Sequence, residues 1–149
     1  MLATGLSLNR VAFGVAYVVF PRRAGGGWIG RVARNPATQV FTRGHGARDV
    51  ALGGGALAAL ARDDRRSARD WMSAQALADG ADLTATLLSR RRLPSSGARF
   101  ALLMAGGSAA VAAASALMLA AAARADADTG AAIAASGDVR PAGPDPAPQ

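Results

Sequence analysis

The stretch Phe100-ALLMAGGSAAVAAASALMLAAA-Ala123 carries no charged side chain over its whole length. At 1.5 Å per helical residue, roughly 20 residues cross a hydrocarbon core about 30 Å thick. Three further apolar stretches of similar length lie upstream, at 2–20, 39–61 and 70–89. Between them the chain turns polar or breaks. Pro21 and Gly25-Gly26-Gly27 stop the first stretch, Asn35-Pro36 precedes the second, Arg62-Asp63-Asp64-Arg65-Arg66 follows it, and Arg90-Arg91-Arg92-Leu93-Pro94 follows the third. Pro and Gly punctuate helices, and charge prefers the headgroup region. This pattern predicts an all-α fold: a four-helix transmembrane bundle, up-down, spanning residues 1–123.

Composition points the same way. All 17 basic residues are Arg and all 10 acidic residues are Asp, giving a net charge of +7, yet 51% of the 149 residues are hydrophobic. Charges segregated between apolar runs suit a small membrane protein better than a soluble domain. Cysteine is absent, which excludes a disulfide framework, a thiolate metal site and a thiol nucleophile. Residues 124–149 are mostly Ala, Asp, Gly and Pro, and read as a disordered C-terminal tail that buries too little apolar surface to offset its ordering entropy. The first stretch lacks a basic N-terminal region and a convincing small-residue cleavage site, so it reads as a retained helix rather than a signal peptide.

Arginine counts suggest an orientation. The first and third connectors hold eight (Arg22, Arg23, Arg31, Arg34, Arg90, Arg91, Arg92, Arg99); the second connector and the tail hold six (Arg62, Arg65, Arg66, Arg69, Arg124, Arg140). The positive-inside bias then places both termini outside a cell membrane crossed several times.

The chemically informative residues are the charges inside the spans. Arg10 lies within the first, Arg43, His45, Arg48 and Asp49 within the second, and Asp79 and Asp82 within the third. A charge at the bilayer centre costs about 2.5–3.5 kcal/mol on the insertion scale, so such residues face the bundle and pair. On straight helices in an up-down bundle, Arg10, Arg48, Asp49, Asp79 and Asp82 fall into one layer roughly 8 Å deep. Arg43 lies nearer the opposite headgroups; if it reaches into the layer, the charges balance. Gln75, Asp79, Asp82 and Thr86 recur at intervals of four, three and four, which sets them on one helix face. Gly106, Ala110 and Ala114 form a small-residue ladder on the fourth helix, of the kind that lets helices approach closely.

Two functions fit this layer. As a packing device, the Arg–Asp pairs fix helix register in a non-enzymatic accessory or structural membrane component. As a polar intramembrane cavity, they bind or transport a small molecule or protons. No nucleophile elbow, phosphate loop or dinucleotide fingerprint is present, and Gly53-Gly54-Gly55 lies inside an apolar stretch. Neither a catalytic residue nor a cofactor is expected, and a lone His without a second ligand at metal spacing does not suggest a metal. The Arg residues sit at helix flanks, so they argue for lipid rather than nucleic acid as partner. The expected partners are the lipid bilayer and other membrane proteins or further copies of the chain.

The segments Gly46-Ala47-Arg48-Asp49 and Ala78-Asp79-Gly80-Ala81-Asp82-Leu83, with an Arg in a Gly-containing first helix, resemble a family of small bacterial four-helix membrane proteins of unknown function. In that family a Gly-x-Arg-Asp segment in helix two and an Asp pair in helix three recur. The resemblance covers about residues 5–120. It implies an integral membrane protein and supplies no catalytic residue.

Overall fold

A computed structural model describes residues 2–136, which form helices and short turns with no strand among them. The elements are α1 (Leu2–Val19), α2 (Pro21–Ile29), a 3-10 segment (Gly30–Arg34), α3 (Pro36–Ala61), α4 (Arg65–Ser89) and α5 (Ser95–Ser136).

Local chemistry sets the breaks. Pro21 disfavours helical geometry at the residue before it, and Phe20 sits at φ −122°, ψ 54°, outside the helical region. Asn35 caps α3 by accepting a hydrogen bond from the Ala37 N–H at 2.9 Å, and Pro36 occupies the first turn, where its missing N–H is no loss. At the other end of α3, Asp63 takes φ 52°. The Asp63 and Asp64 N–H groups then donate back to the Leu60 and Ala59 carbonyls at 3.1 and 3.0 Å. These two bonds are the Schellman ending of a helix, with Asp where Gly is usual. Asp64 then caps α4, accepting from the Ser67 N–H at 3.0 Å.

Two expectations about where helices begin and end change. Residues 21–27, read as a loop, form α2, because Pro21 suits a helix start and Gly25 packs with Thr42 and Ala33 in van der Waals reach; tertiary contact overrides glycine's poor helix propensity. The tail expected to begin at 124 stays helical to Ser136. Alanine there keeps helix propensity high, and Arg65 Nη1 donates to Asp126 Oδ2 at 2.5 Å across to α4. The rest of the expected tail lies outside the described residues.

Successive long helices run antiparallel. On α1 and α3, Ser7 meets Gly53 and Gly14 meets Gly46, and a Cβ on Gly46 would lie 2.5 Å from the Gly14 carbonyl oxygen. Arg48 of α3 meets Asp82 of α4, and Gly55 meets Trp71. Asp79 of α4 meets Ser108 of α5. The ladder expected at Gly106, Ala110 and Ala114 is not the seam of α5. Ala110 and Ala114 are exposed, and Ala101, Ala112, Ser115 and Ala116 are buried instead.

The interior is small and polar, and the exterior is apolar. The largest fully buried side chains are Met72, Gln75, Thr86 and Ser7, whereas Phe41, Leu77, Leu88, Leu103 and Leu117 are each more than 70% exposed. Two helices are long and apolar enough to cross a membrane, Leu2–Val19 and Ser95–Ala134, and only 17% and 22% of their most apolar windows are buried. They are therefore not core helices wrapped by the rest of the fold. The other two expected spans do not meet that standard, because α3 and α4 carry the charges described next.

Candidate functional site

Arg10 is the centre of the site. The glycine contacts between α1 and α3 bring the two backbones together, which places Arg10, four residues before Gly14, against Asp49, three residues after Gly46. Arg10 Nη1 donates to Asp49 Oδ1 at 2.9 Å, its Nε to Gln75 Oε1 at 3.1 Å, and its Nη2 to Asp79 Oδ2. The guanidinium thus ties α1 to both α3 and α4, and its side chain is only 5% exposed. Gln75 is fixed in turn: its Nε2 donates to the Leu52 carbonyl at 3.2 Å and to Ser7 Oγ at 3.5 Å. Ser108 Oγ donates to Asp79 Oδ2 at 2.6 Å and brings α5 into the network.

Arg48 forms a second, shallower node. It grips Asp82 with both terminal nitrogens, Nη2 to Oδ2 at 2.7 Å and Nη1 to Oδ1 at 3.3 Å. Nη2 also donates to Asp49 Oδ1 at 3.1 Å. Such fork-like pairing adds geometric specificity to charge attraction. Asp49 Oδ1 therefore joins the two nodes, accepting from both arginines. His45 lies beside them, its Nε2 3.7 Å from Asp49 Oδ2 and 3.9 Å from Asp82 Oδ2. Its ring stands edge-on to Tyr17 with centroids 5.4 Å apart, and tilted against Trp28 at 5.5 Å.

Of the residues singled out in the sequence, Arg10, His45, Arg48, Asp49, Gln75, Asp79 and Asp82 come together. Arg43 does not. It is exposed, and its Nε donates to the Val18 carbonyl at 3.3 Å. One carbonyl near the end of α1 holds it at the rim, so it does not balance the buried charges. Sequence reasoning missed Ser7, Tyr17, Trp28 and Ser108. Ser7 lies three residues before Arg10 on the same helical face, a signal that was available. Trp28 has none, because it directly follows Gly25-Gly26-Gly27, a run that signals a loop.

A cavity of about 120 Å³ opens beside the network, lined by Arg10, Asp49, Asp79, Asp82, His45 and Ser108, and by Tyr17, Trp28, Phe13 and Phe100. Trp28 reaches it because α5 lies directly on the carbonyls of Gly27 and Trp28 at Gly97, where a side chain would collide. Thr86 also lines the cavity, and both its Oγ1 and the Trp28 Nε1 are buried without a hydrogen-bond partner. Among the described residues no group of three or more His or carboxylate side chains is arranged to hold a metal ion. Compared with protein-family models, with curated proteins and with solved structures, the chain matches none, so the site is read from its own chemistry.

Proposed function

We propose that the chain is a four-span integral membrane protein, an up-down bundle with a non-enzymatic accessory or structural role, in which the Arg–Asp network locks the helices together. The carrying observation is the inversion of polarity: charged and hydroxyl side chains lie inside while large aliphatic side chains face outward on every long helix. In water that arrangement would expose apolar surface at about 25 cal/mol per Å²; in lipid the same surface is solvated and the interior charges must pair. Membership of the small bacterial four-helix family whose motifs the second and third spans resemble is part of this reading, and so is a multi-pass location in the cell membrane. Alkaline carbonate extraction of membranes tests it. The protein should stay in the pellet, and release into the supernatant would overturn the assignment.

A second reading is favoured by one feature the packing role does not use. Two residues that line the cavity, Thr86 and Trp28, each carry a buried polar atom with no partner. Buried polar groups are almost always satisfied, and each exception calls for an explanation. On this reading the cavity is a binding site for a small molecule. Calorimetric titration of the detergent-solubilised protein with small polar solutes tests it, because a purely structural network would give no saturable heat.

A further inference from the structure

We propose that the cavity beside the network binds a small organic monocation, an ammonium ion that also carries a hydrogen-bond acceptor; this rests on the binding-site reading above. The argument begins with charge. Three carboxyl groups, Asp49, Asp79 and Asp82, each accept a guanidinium N–H. Only two guanidinium groups, Arg10 and Arg48, face them, because Arg43 is held at the rim. With all three ionised, the site is one positive charge short. A buried, uncompensated charge is expensive, so a monocation in the cavity is favoured.

The unfilled valences specify that cation. Among the described residues Asp49 Oδ2 and Asp79 Oδ1 accept no hydrogen bond, which leaves acceptors for an ammonium. The Tyr17 and Trp28 rings line the same cavity, and aromatic faces attract cations. Thr86 and Trp28 each carry a buried, unpartnered polar atom; an indole N–H only donates, so a ligand that reaches Trp28 Nε1 must also carry an acceptor. A 150 Å³ apolar cavity holds a benzene-sized ligand of six carbons, which puts this one at about five non-hydrogen atoms. Amino alcohols have this chemistry.

His45 offers the competing cation. Its Nε2 faces Asp49 and Asp82, with Arg48 beside it on α3, Arg10 and Tyr17 on α1, and Trp28 on α2. A proton on His45 supplies the missing charge, so ammonium and proton compete for one deficit.

Calorimetry on the full chain in detergent micelles, with ethanolamine as probe and ethylene glycol and glycolate as neutral and anionic controls, tests the assignment. Ethanolamine should bind saturably, about tenfold or more tighter than either control. Its affinity should fall on acidification as His45 takes up a proton. Thr86→Val and Trp28→Phe, which leave the charges untouched, should each weaken it about fivefold. Binding of ethylene glycol or glycolate as tight as that of ethanolamine would overturn the cation assignment and leave a binding site standing. No saturable heat from any of the three probes would overturn both the assignment and the binding-site reading.

Discussion

Arg10 donates to three acceptors on two neighbouring helices from a nearly dry position, and its removal would leave Asp49 and Asp79 short of a countercharge. Breaking a buried pair on one side costs about 3–5 kcal/mol. Arg10→Ala should therefore lower the melting temperature in detergent far more than Arg48→Ala, whose side chain is 34% exposed and screened. Adding Asp79→Asn to Arg10→Ala should recover part of the loss. Equal melting temperatures for wild type and Arg10→Ala would mean that the network carries no stability. A different residue sets an acid limit. Asp64 caps α4, and its hydrogen bonds with Ser67 hold its carboxyl below the usual carboxylate range. A lowered folded-state pKa stabilises the fold above the ordinary Asp value of about 3.9, and that contribution is lost as pH falls through the folded value. Asp64→Asn, a cap that does not titrate, should show less loss of α4 helicity on acidification, followed by circular dichroism.

The elements depend on close backbone approach and on their ends. A Cβ at Gly14 would sit 2.6 Å from the Gly46 carbonyl oxygen, and one at Gly53 2.7 Å from that of Ser7. Both obstacles are backbone, so the helices themselves must move apart. Gly14→Ala and Gly53→Ala should each cost about 1–3 kcal/mol through overpacking, and should loosen the Arg10–Asp49 contact as well. Gly54→Ala, with nothing near its Cβ position, should be neutral or mildly stabilising, since Ala is the better helix former; a Gly14→Ala variant as stable as Gly54→Ala would rule out the close seam. The α3 ending behaves oppositely. Asp63 holds a left-handed conformation that glycine adopts freely, so Asp63→Gly should raise the melting temperature. An unchanged or lower value would show that the Arg65 contact to Asp63 at 3.8 Å matters more than backbone strain.

At the scale of the whole molecule, charge is distributed unevenly between the two ends. Arg22, Arg23, Arg31, Arg34, Arg43, Arg90, Arg91, Arg92 and Arg99 gather around α2, the start of α3 and the turn before α5 with no Asp among them. At the opposite end, Arg62, Arg65, Arg66, Arg69 and Arg124 are interleaved with Asp63, Asp64, Asp70, Asp126 and Asp128. On the proposed membrane topology, the positive-inside rule would put the arginine-only end in the cytoplasm. The chain has no cysteine, so single cysteines introduced at Arg91 and at Arg66 report topology without background. An impermeant thiol reagent applied to intact cells should label the second and spare the first; the reverse pattern would invert the orientation. The C-terminal part of α5 lies beyond the network and touches α4 through the Arg65–Asp126 pair, exposed on both sides. Truncation after Arg124 should cost less than about 1 kcal/mol.

The apolar run at 100–123, the charges embedded in three other stretches and the four-three-four spacing of Gln75, Asp79, Asp82 and Thr86 were legible in the sequence, because hydrophobic length and helical period are local properties. They determined the helical class of the fold and the membership of most of the network. What they could not determine was which small residues touch. In a chain with 39 Ala and 18 Gly every helix offers a small face, and only the packed structure selects Gly14, Gly46 and Gly53 over the ladder on α5. The short helix α2 was hidden for the same reason: glycine reads as a break until Gly25 meets Thr42 and Ala33. The fate of Arg43 was likewise a tertiary decision. Its long side chain reaches either the buried carboxylates or the rim, and a single contact, the Val18 carbonyl, keeps it at the rim. That contact leaves two guanidinium groups facing three carboxylates.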